Sequence, residues 1–373
     1  MNLSNFRKIF DPAVFLISKL SLLQGFLVVG FLFTLSFSVW LFLIVSDINR
    51  NIATTYSEQA GLRYISTTQR LLEDLQQHRG LTGAYLSGYK NLEKELAYKR
   101  SEINGDFSNL ERVAAEFEIR FKTGFELAYV NDVKNEWLEL ERMVDDRSLT
   151  VELSFEKHTH LIQDILLLLA QIKDTSRLTI DAHTDSLHLV DTIVNRIPVI
   201  SENMGQARVA GLTMQRNKII SQSDRQVFLS TSIIANANMN EIQRGMQTAF
   251  KGNMRLREQL EAPLEDVSSK VGLFSEIVDK RFVNAETNTI ERLEYYTTIT
   301  RLLDNVFMFN DTATASLGNL LQDRVSALKI ERNIYLFSFG VIFVFVLYFL
   351  AGLYLRSRCL ANDDNDMRSV PTQ

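Results

Sequence analysis

With a single cysteine, Cys359, the 373-residue chain has no possible intrachain disulfide, so any folded part is held by packing alone. Four prolines and sixteen glycines leave few helix breakers for a chain of this length. Short alternating runs of β-branched residues between turn signals, the mark of strands, are missing, and the pattern predicts an all-α protein. Positive charge is not in excess: the net charge is −5, which gives no reason to expect a nucleic-acid partner. Gly-rich phosphate loops, a nucleophile elbow and a Ser/His/Asp order are also lacking, so no enzyme and no cofactor are expected. Five histidines offer no metal motif. His158 and His160 are spaced i, i+2, which sends their rings to different sides of a helix. His183 and His188, with Asp181 and Asp185, match no zinc spacing.

What the chain does have is apolar runs at both ends. Residues 20–46 hold 27 uncharged residues, "LSLLQGFLVVGFLFTLSFSVWLFLIVS", and residues 333–355 hold 23, "NIYLFSFGVIFVFVLYFLAGLYL". As helices they cover roughly 35–40 Å, enough for a hydrocarbon core of about 30 Å. The first is too long for a signal peptide, and no small-residue cleavage motif follows it. Arg7, Lys8 and Lys19 precede the first span, and Arg356 and Arg358 follow the second. Basic flanks face the cytoplasm. The expectation is a membrane protein with residues 1–19 and 356–373 cytoplasmic and residues 47–332 outside, which in a bacterium means an inner-membrane protein with a periplasmic domain. That outer region has 34 basic and 41 acidic residues, about −7, so an anion site there must work by local geometry.

Helical periodicity fills the outer region in segments 48–88, 91–118, 122–146, 150–178, 184–217, 222–252, 254–281 and 286–332. Breaks at "SGYKN", "KTG", "DDRS", "TIDAHTD", "NKIISQSD", "KGN" and "RFVNAET" supply stop and cap residues, with Asp185 and Asp224 as candidate N-caps. Eight helices return the chain to the side it left. The expected architecture is two four-helix bundles, 47–178 and 179–332, with the first and last helices running unbroken into the spans.

Each half carries an arginine on its apolar face. At 100° per residue Arg79 lies within about 40° of Ile65, Leu72, Leu75, Gly83 and Leu86. Arg208 likewise lies within about 40° of Val190, Val194, Ile197, Met204 and Leu212. Gly80, Gly83, Ala207, Ala210 and Gly211 remove side-chain bulk beside them. A desolvated guanidinium costs several kcal/mol unless acceptors or a counter-charge satisfy it. Its planar fork suits carboxylate, phosphate or nitrate-like oxyanions. Three readings stay open: a bound anion, a salt bridge to a neighbouring helix, or an aliphatic stem packed with its head in water.

"GLRYISTTQRLLEDLQQHRGLTGAYLSGYKN" resembles the opening of the nitrate- and nitrite-sensing (NIT) domain of bacterial chemoreceptors, diguanylate cyclases and histidine kinases. "LTIDAHTDSLHLVDTIVNRIPVISENMGQARVAGL" is similar to the interbundle turn and following helix of such receptors, and "YFLAGLYLRSR" to a receptor's exit from the membrane. The resemblance covers most of 48–332. It implies a helical sensor in which inward arginines, Arg79 and Arg208, grip nitrate or nitrite, with His78, Gly80, Gly83 and Gly211 around them. Where the family often has an arginine–glutamate–arginine run, "QQHRG" places Gln77 and His78, and a protonated His78 would restore one positive charge. Receptors of this kind continue into a HAMP linker and an output module, whereas the second span is followed here by 18 residues. The expected partners are therefore a small anion, the bilayer, and a second copy or a separate signalling membrane protein. The alternatives are a structural or interaction bundle without a ligand, or a shortened receptor.

Overall fold

The structure is a computed structural model describing residues 11, 15, 18–146, 148–178, 184–214, 219–287, 289 and 291–368. Among these residues the protein is all-α, with one isolated bridge, Ile219–Thr287, between two loops. Helix α1 is Leu22–Leu86, and a short 3-10 turn, Lys90–Leu92, leads to α2, Glu93–Phe121. Helices α3 and α4 are Glu126–Asp145 and Val151–Thr175. Helix α5 passes through Thr184–Val190, a π-helical segment Asp191–Arg196 and Ile197–Thr213. Helix α6 is Gln222–Gly252, α7 is Met254–Val278 with a π-helical end Asp279–Val283, and α8 is Arg292–Arg368. The helices follow the segments read from periodicity. The continuity expected at both span junctions is present, since α1 runs 65 residues and α8 77 residues without a break.

Local chemistry sets the ends. Gly88 turns the chain after α1 at φ 110°, a left-handed conformation in which a Cβ is strained. Thr150 caps α4 by accepting from the Leu153 amide at 3.2 Å. At α6 the N-cap is Ser221 rather than Asp224: Ser221 Oγ accepts from the Asp224 amide, and the Asp224 carboxylate accepts from the Ser221 amide, a capping box. Asp185 is not the first residue of α5, because Thr184 is already helical; its carboxylate accepts from the Ser186 amide at 2.8 Å and from Asn253 Nδ2 at 2.9 Å.

The π segment in α5 has a readable cause. The Ile197 amide donates to Thr192 O in the wider register, so Ile193 O next requires a donor at position 198, which is proline. The orphaned carbonyl is satisfied from α1 by Gln69 Nε2 at 2.7 Å. Gln69 in turn exchanges two 3.2 Å hydrogen bonds with Asn310 on α8, so one buried amide cluster ties α1, α5 and α8.

The chain divides into two compact units, one of residues 1–53 with 324–373 and one of 54–323. In the first, the apolar parts of α1 and α8 pack through stacked Phe37 and Phe339, 5.5 Å apart. At its end Arg332 Nη1 donates to Asn49 Oδ1 at 3.1 Å. Outward phenylalanines, leucines and valines remain uncovered, and both helices are long and apolar enough to cross a membrane.

In the second unit, the outer parts of α1 and α8 and the whole of α2–α7 share one large buried core and one compact body. The division read at 179–184 therefore falls inside a single unit. Of the inward positions counted from Arg79 and Arg208, Ile65, Leu72, Leu75, Val190, Ile197 and Met204 belong to this core, and Leu212 is buried in a small neighbouring cluster with Ala84 and Tyr296.

Candidate functional site

Arg79 on α1 and Arg208 on α5 are each only 1% exposed, so neither head reaches water. They do not occupy separate bundle interiors; they meet where α1 and α5 pack against one another. The small residues explain how. A Cβ on Gly80 would lie 2.7 Å from Arg208 Nη2, and one on Gly205 would lie 2.9 Å from Arg79 Nη2. Each guanidinium thus rests on a glycine of the opposite helix, an approach that any larger side chain would obstruct.

The two arginines differ in how their charge is met. Arg79 forms a bidentate pair with Glu202 on α5, Nη1 to Oε1 at 2.7 Å and Nη2 to Oε2 at 2.9 Å. Its Nη1 also donates to Thr159 Oγ1 on α4 at 3.0 Å, and the guanidinium lies 5.3 Å from the Phe155 ring centroid. Gln76 Nε2 and Gln206 Nε2 complete the Glu202 carboxylate at 3.0 and 2.8 Å. For Arg79 the internal salt bridge is therefore what the structure shows. Among the described residues Arg208 has no carboxylate within ion-pair distance. Nη1 donates to Thr300 Oγ1 at 3.0 Å, Nη2 to the Gln76 carbonyl at 2.9 Å, and the Tyr296 ring centroid is 5.2 Å away. Burial lowers the Arg208 pKa, Tyr296 opposes that shift, and the charge on Arg79 adds to it. Arg208 Nε, Arg79 Nε and Gln76 Oε1 are buried without hydrogen-bond partners.

His78 points elsewhere. It is fully buried among α1, α3 and α4, edge-on to Trp137 with centroids 4.8 Å apart, and its Nδ1 lies 2.8 Å from His158 Nε2. His158 Nδ1 lies 2.7 Å from Ser154 O and must donate to it, so Nε2 accepts and His78 Nδ1 carries the proton between the rings. Burial holds the His78 pKa well below the ordinary value, with His158, Arg100 and Lys99 adding to the shift, and His158 is pushed down to about 4. A neutral His78 supplies no charge for an anion, so the compensation expected of it is not available. Gly83 faces Val209, and Gly211 makes room for the Tyr295 ring, whose Cε1 lies 2.2 Å from the position of an added Cβ. Both glycines serve packing.

Glu202, Gln76, Gly205, Thr300 and Tyr296 were not singled out from sequence. Gly205, three residues before Arg208 in "GQAR", was the one available signal, as a small residue one turn from an inward arginine. Of the histidines that match no zinc spacing, His183 lies outside the described residues with its neighbour Asp181, while the His188 ring packs against Gly245.

Beside the arginines a polar cleft of about 440 Å³ opens between α1, α2, α5 and α8, lined by Glu73, Asp74, Gln77, Lys99, Ser201 and Asp311 among others. Neither arginine lines it. Lys99 bridges Asp74 at 2.9 Å and Glu102 at 2.6 Å. Burial, then Asp74, Asp311 and Asp304, push Glu73 up to about 7, and burial with Asp74 pushes Asp106 up to about 7.

The fold and the site define a helical protein with two helices able to cross a membrane and a buried crossing of two arginines. No family model matches the chain, and no curated protein matches it. Among solved structures it is similar to the NasR transcription antiterminator, with a TM-score of 0.49 and 15% identity over 84% of this chain and 83% of that one. A likeness of that size assigns no function.

Proposed function

We propose that the chain is a membrane-anchored extracytoplasmic sensor of a small oxyanion, nitrate or nitrite in shape and charge. The observation that supports this is Arg208: a fully buried guanidinium with two neutral acceptors for its five N–H groups, an unpartnered Nε and, among the described residues, no carboxylate partner. A buried cation of that kind is stabilised by a monovalent anion far more than a neutral site would be. Arg79 and Glu202 cancel each other, so the surplus charge at the crossing is Arg208's. Both guanidiniums are sealed in this packing, and an anion reaches them only if α1 and α5 separate locally or Arg79 exchanges Glu202 for the ligand. Either movement displaces α1, which continues into an apolar span; a partner in the membrane reads that displacement.

The Arg79–Glu202 pair favours a second reading, in which the charges are internal and the bundle only holds or pairs with another protein. One experiment separates the two. The detergent-solubilised full chain is melted with nitrate, nitrite, chloride and acetate, alongside Arg208→Gln and Arg208→Lys. A ligand at a hundred times its Kd adds about 2.7 kcal/mol. The sensor reading expects nitrate or nitrite to raise Tm in the parent protein, an effect absent in Arg208→Gln and reduced in Arg208→Lys, which keeps the charge but loses the fork. Equal stabilisation by all four salts, unchanged by either substitution, removes the specific site and leaves the structural reading.

A further inference from the structure

The face where α3 meets α4, away from the arginine crossing, holds a second cluster of ligating atoms. His160 Nδ1 on α4 lies 3.2 Å from Asp164 Oδ2 on the same helix and 3.5 Å from Glu136 Oε2 on α3. All three ligand atoms fall within 4.8 Å of one another. The helical register explains it: Glu156, His160 and Asp164 follow at i, i+4 and i+8 along one stripe of α4, and Glu136 and Glu139 are spaced i, i+3 on α3. Tyr129 Oη donates to Asp164 O at 3.1 Å and holds the two helices in register there. Glu136 and His160 border an open cleft of about 380 Å³ that Glu139, Glu156 and Lys157 also line.

From this geometry we infer a divalent transition-metal site of the zinc class, with Glu136, His160 and Asp164 as ligands. An ion with bonds of about 2.0–2.2 Å at tetrahedral angles sets neighbouring ligand atoms roughly 3.3–3.6 Å apart. The two histidine–carboxylate edges, 3.2 and 3.5 Å, lie at or next to that spacing, and the carboxylate–carboxylate edge is within 4.8 Å. An ordinary ion pair accounts for them less well. One imidazole nitrogen with at most one proton faces two carboxylates that repel each other, whereas a cation between the three groups attracts all of them. One nitrogen with two carboxylates is a borderline donor set, which selects zinc or its late first-row neighbours over calcium and magnesium. Three protein ligands on an open surface leave the remaining coordination to water. Bound metal would add a second tie between α3 and α4 beside the Tyr129–Asp164 hydrogen bond.

The test uses the full chain in detergent, purified without a polyhistidine tag and stripped with chelator. Zinc is titrated by calorimetry, cobalt by its visible spectrum, and melting is followed with and without zinc. The side chains of His160 and Glu136 are 68% and 52% exposed, so His160→Ala and Glu136→Gln keep the fold, which the melt without metal checks. The expected result is one zinc per chain, a zinc-dependent rise in Tm, and affinity lowered about tenfold or more in each variant. Binding that is indifferent to both substitutions, or no zinc retained at micromolar free metal, overturns the assignment. Calcium or magnesium binding as well as zinc would mark a general acidic surface and overturn it too.

Discussion

Replacing Glu202 by glutamine removes one charge from the crossing of α1 and α5 while keeping its shape. The glutamine still offers an acceptor oxygen, but Arg79 then stands beside Arg208 with no counter-charge, both 1% exposed. Breaking a buried pair by deleting one partner costs about 3–5 kcal/mol, because the orphaned charge has neither water nor a partner. For a unit of this size each kcal/mol moves Tm by about 2–3 °C, so Glu202→Gln should melt about 6–15 °C lower. Arg79→Met in the same background takes the orphaned charge away, and the double variant should recover most of the loss. The assay is a melt of the detergent-solubilised chain followed by circular dichroism at fixed pH and salt, with the three variants completing a double-mutant cycle. A single-variant cost under about 1 kcal/mol, or strictly additive effects, would mean that solvent reaches the pair and that the sealed crossing is wrong.

The imidazole pair gives a pH prediction. His158 and His78 titrate below the free value of 6.5, so the unfolded chain takes up protons first and stability is lost as pH falls from about 6.5 toward 4. Between pH 7.5 and 4.5 the His158 contribution to that loss is about 2–3 kcal/mol, and melts of His158→Gln should show a correspondingly shallower acid dependence. Glu73 has the opposite sign: with its folded pKa raised to about 7, it costs stability as pH rises through about 4.5–7. Glu73→Gln should therefore raise stability by about 1–2 kcal/mol at pH 8, after allowance for its partial exposure, and by almost nothing at pH 4.5. Gly61→Ala tests the packing of α1 on the end of α4, where the new Cβ would lie 2.2 Å from Ser176 Cβ. Alanine normally strengthens a helix by about 1 kcal/mol relative to glycine. Here the overlap should turn that gain into a loss of about 1–3 kcal/mol in a denaturation curve.

Much of the helical plan is local and so could be read from the chain. Periodicity marked the segments, and turn residues such as Gly88 and Thr150 lie where helices end. The N-cap at α6 was misplaced because Ser221 and Asp224 are both good cap residues. Which one sits at the first position depends on backbone conformation, not composition. The inward direction of Arg79 and Arg208 followed from counting angles along one helix. Their partners did not, since Glu202 lies 123 residues from Arg79, and an acidic chain offers many carboxylates at that remove.

An all-helical chain with two apolar runs of membrane-spanning length and two arginines on buried faces is written in the order of residues alone. These properties follow from spacing and hydropathy within a few turns of helix. Helix packing is what brings the arginines together across paired glycines, sets Glu202 against one and not the other, and makes His78 a neutral core residue beside His158. Charge balance and protonation in a buried site depend on which helices are neighbours. That information is carried by packing over long sequence separations, and no local pattern contains it.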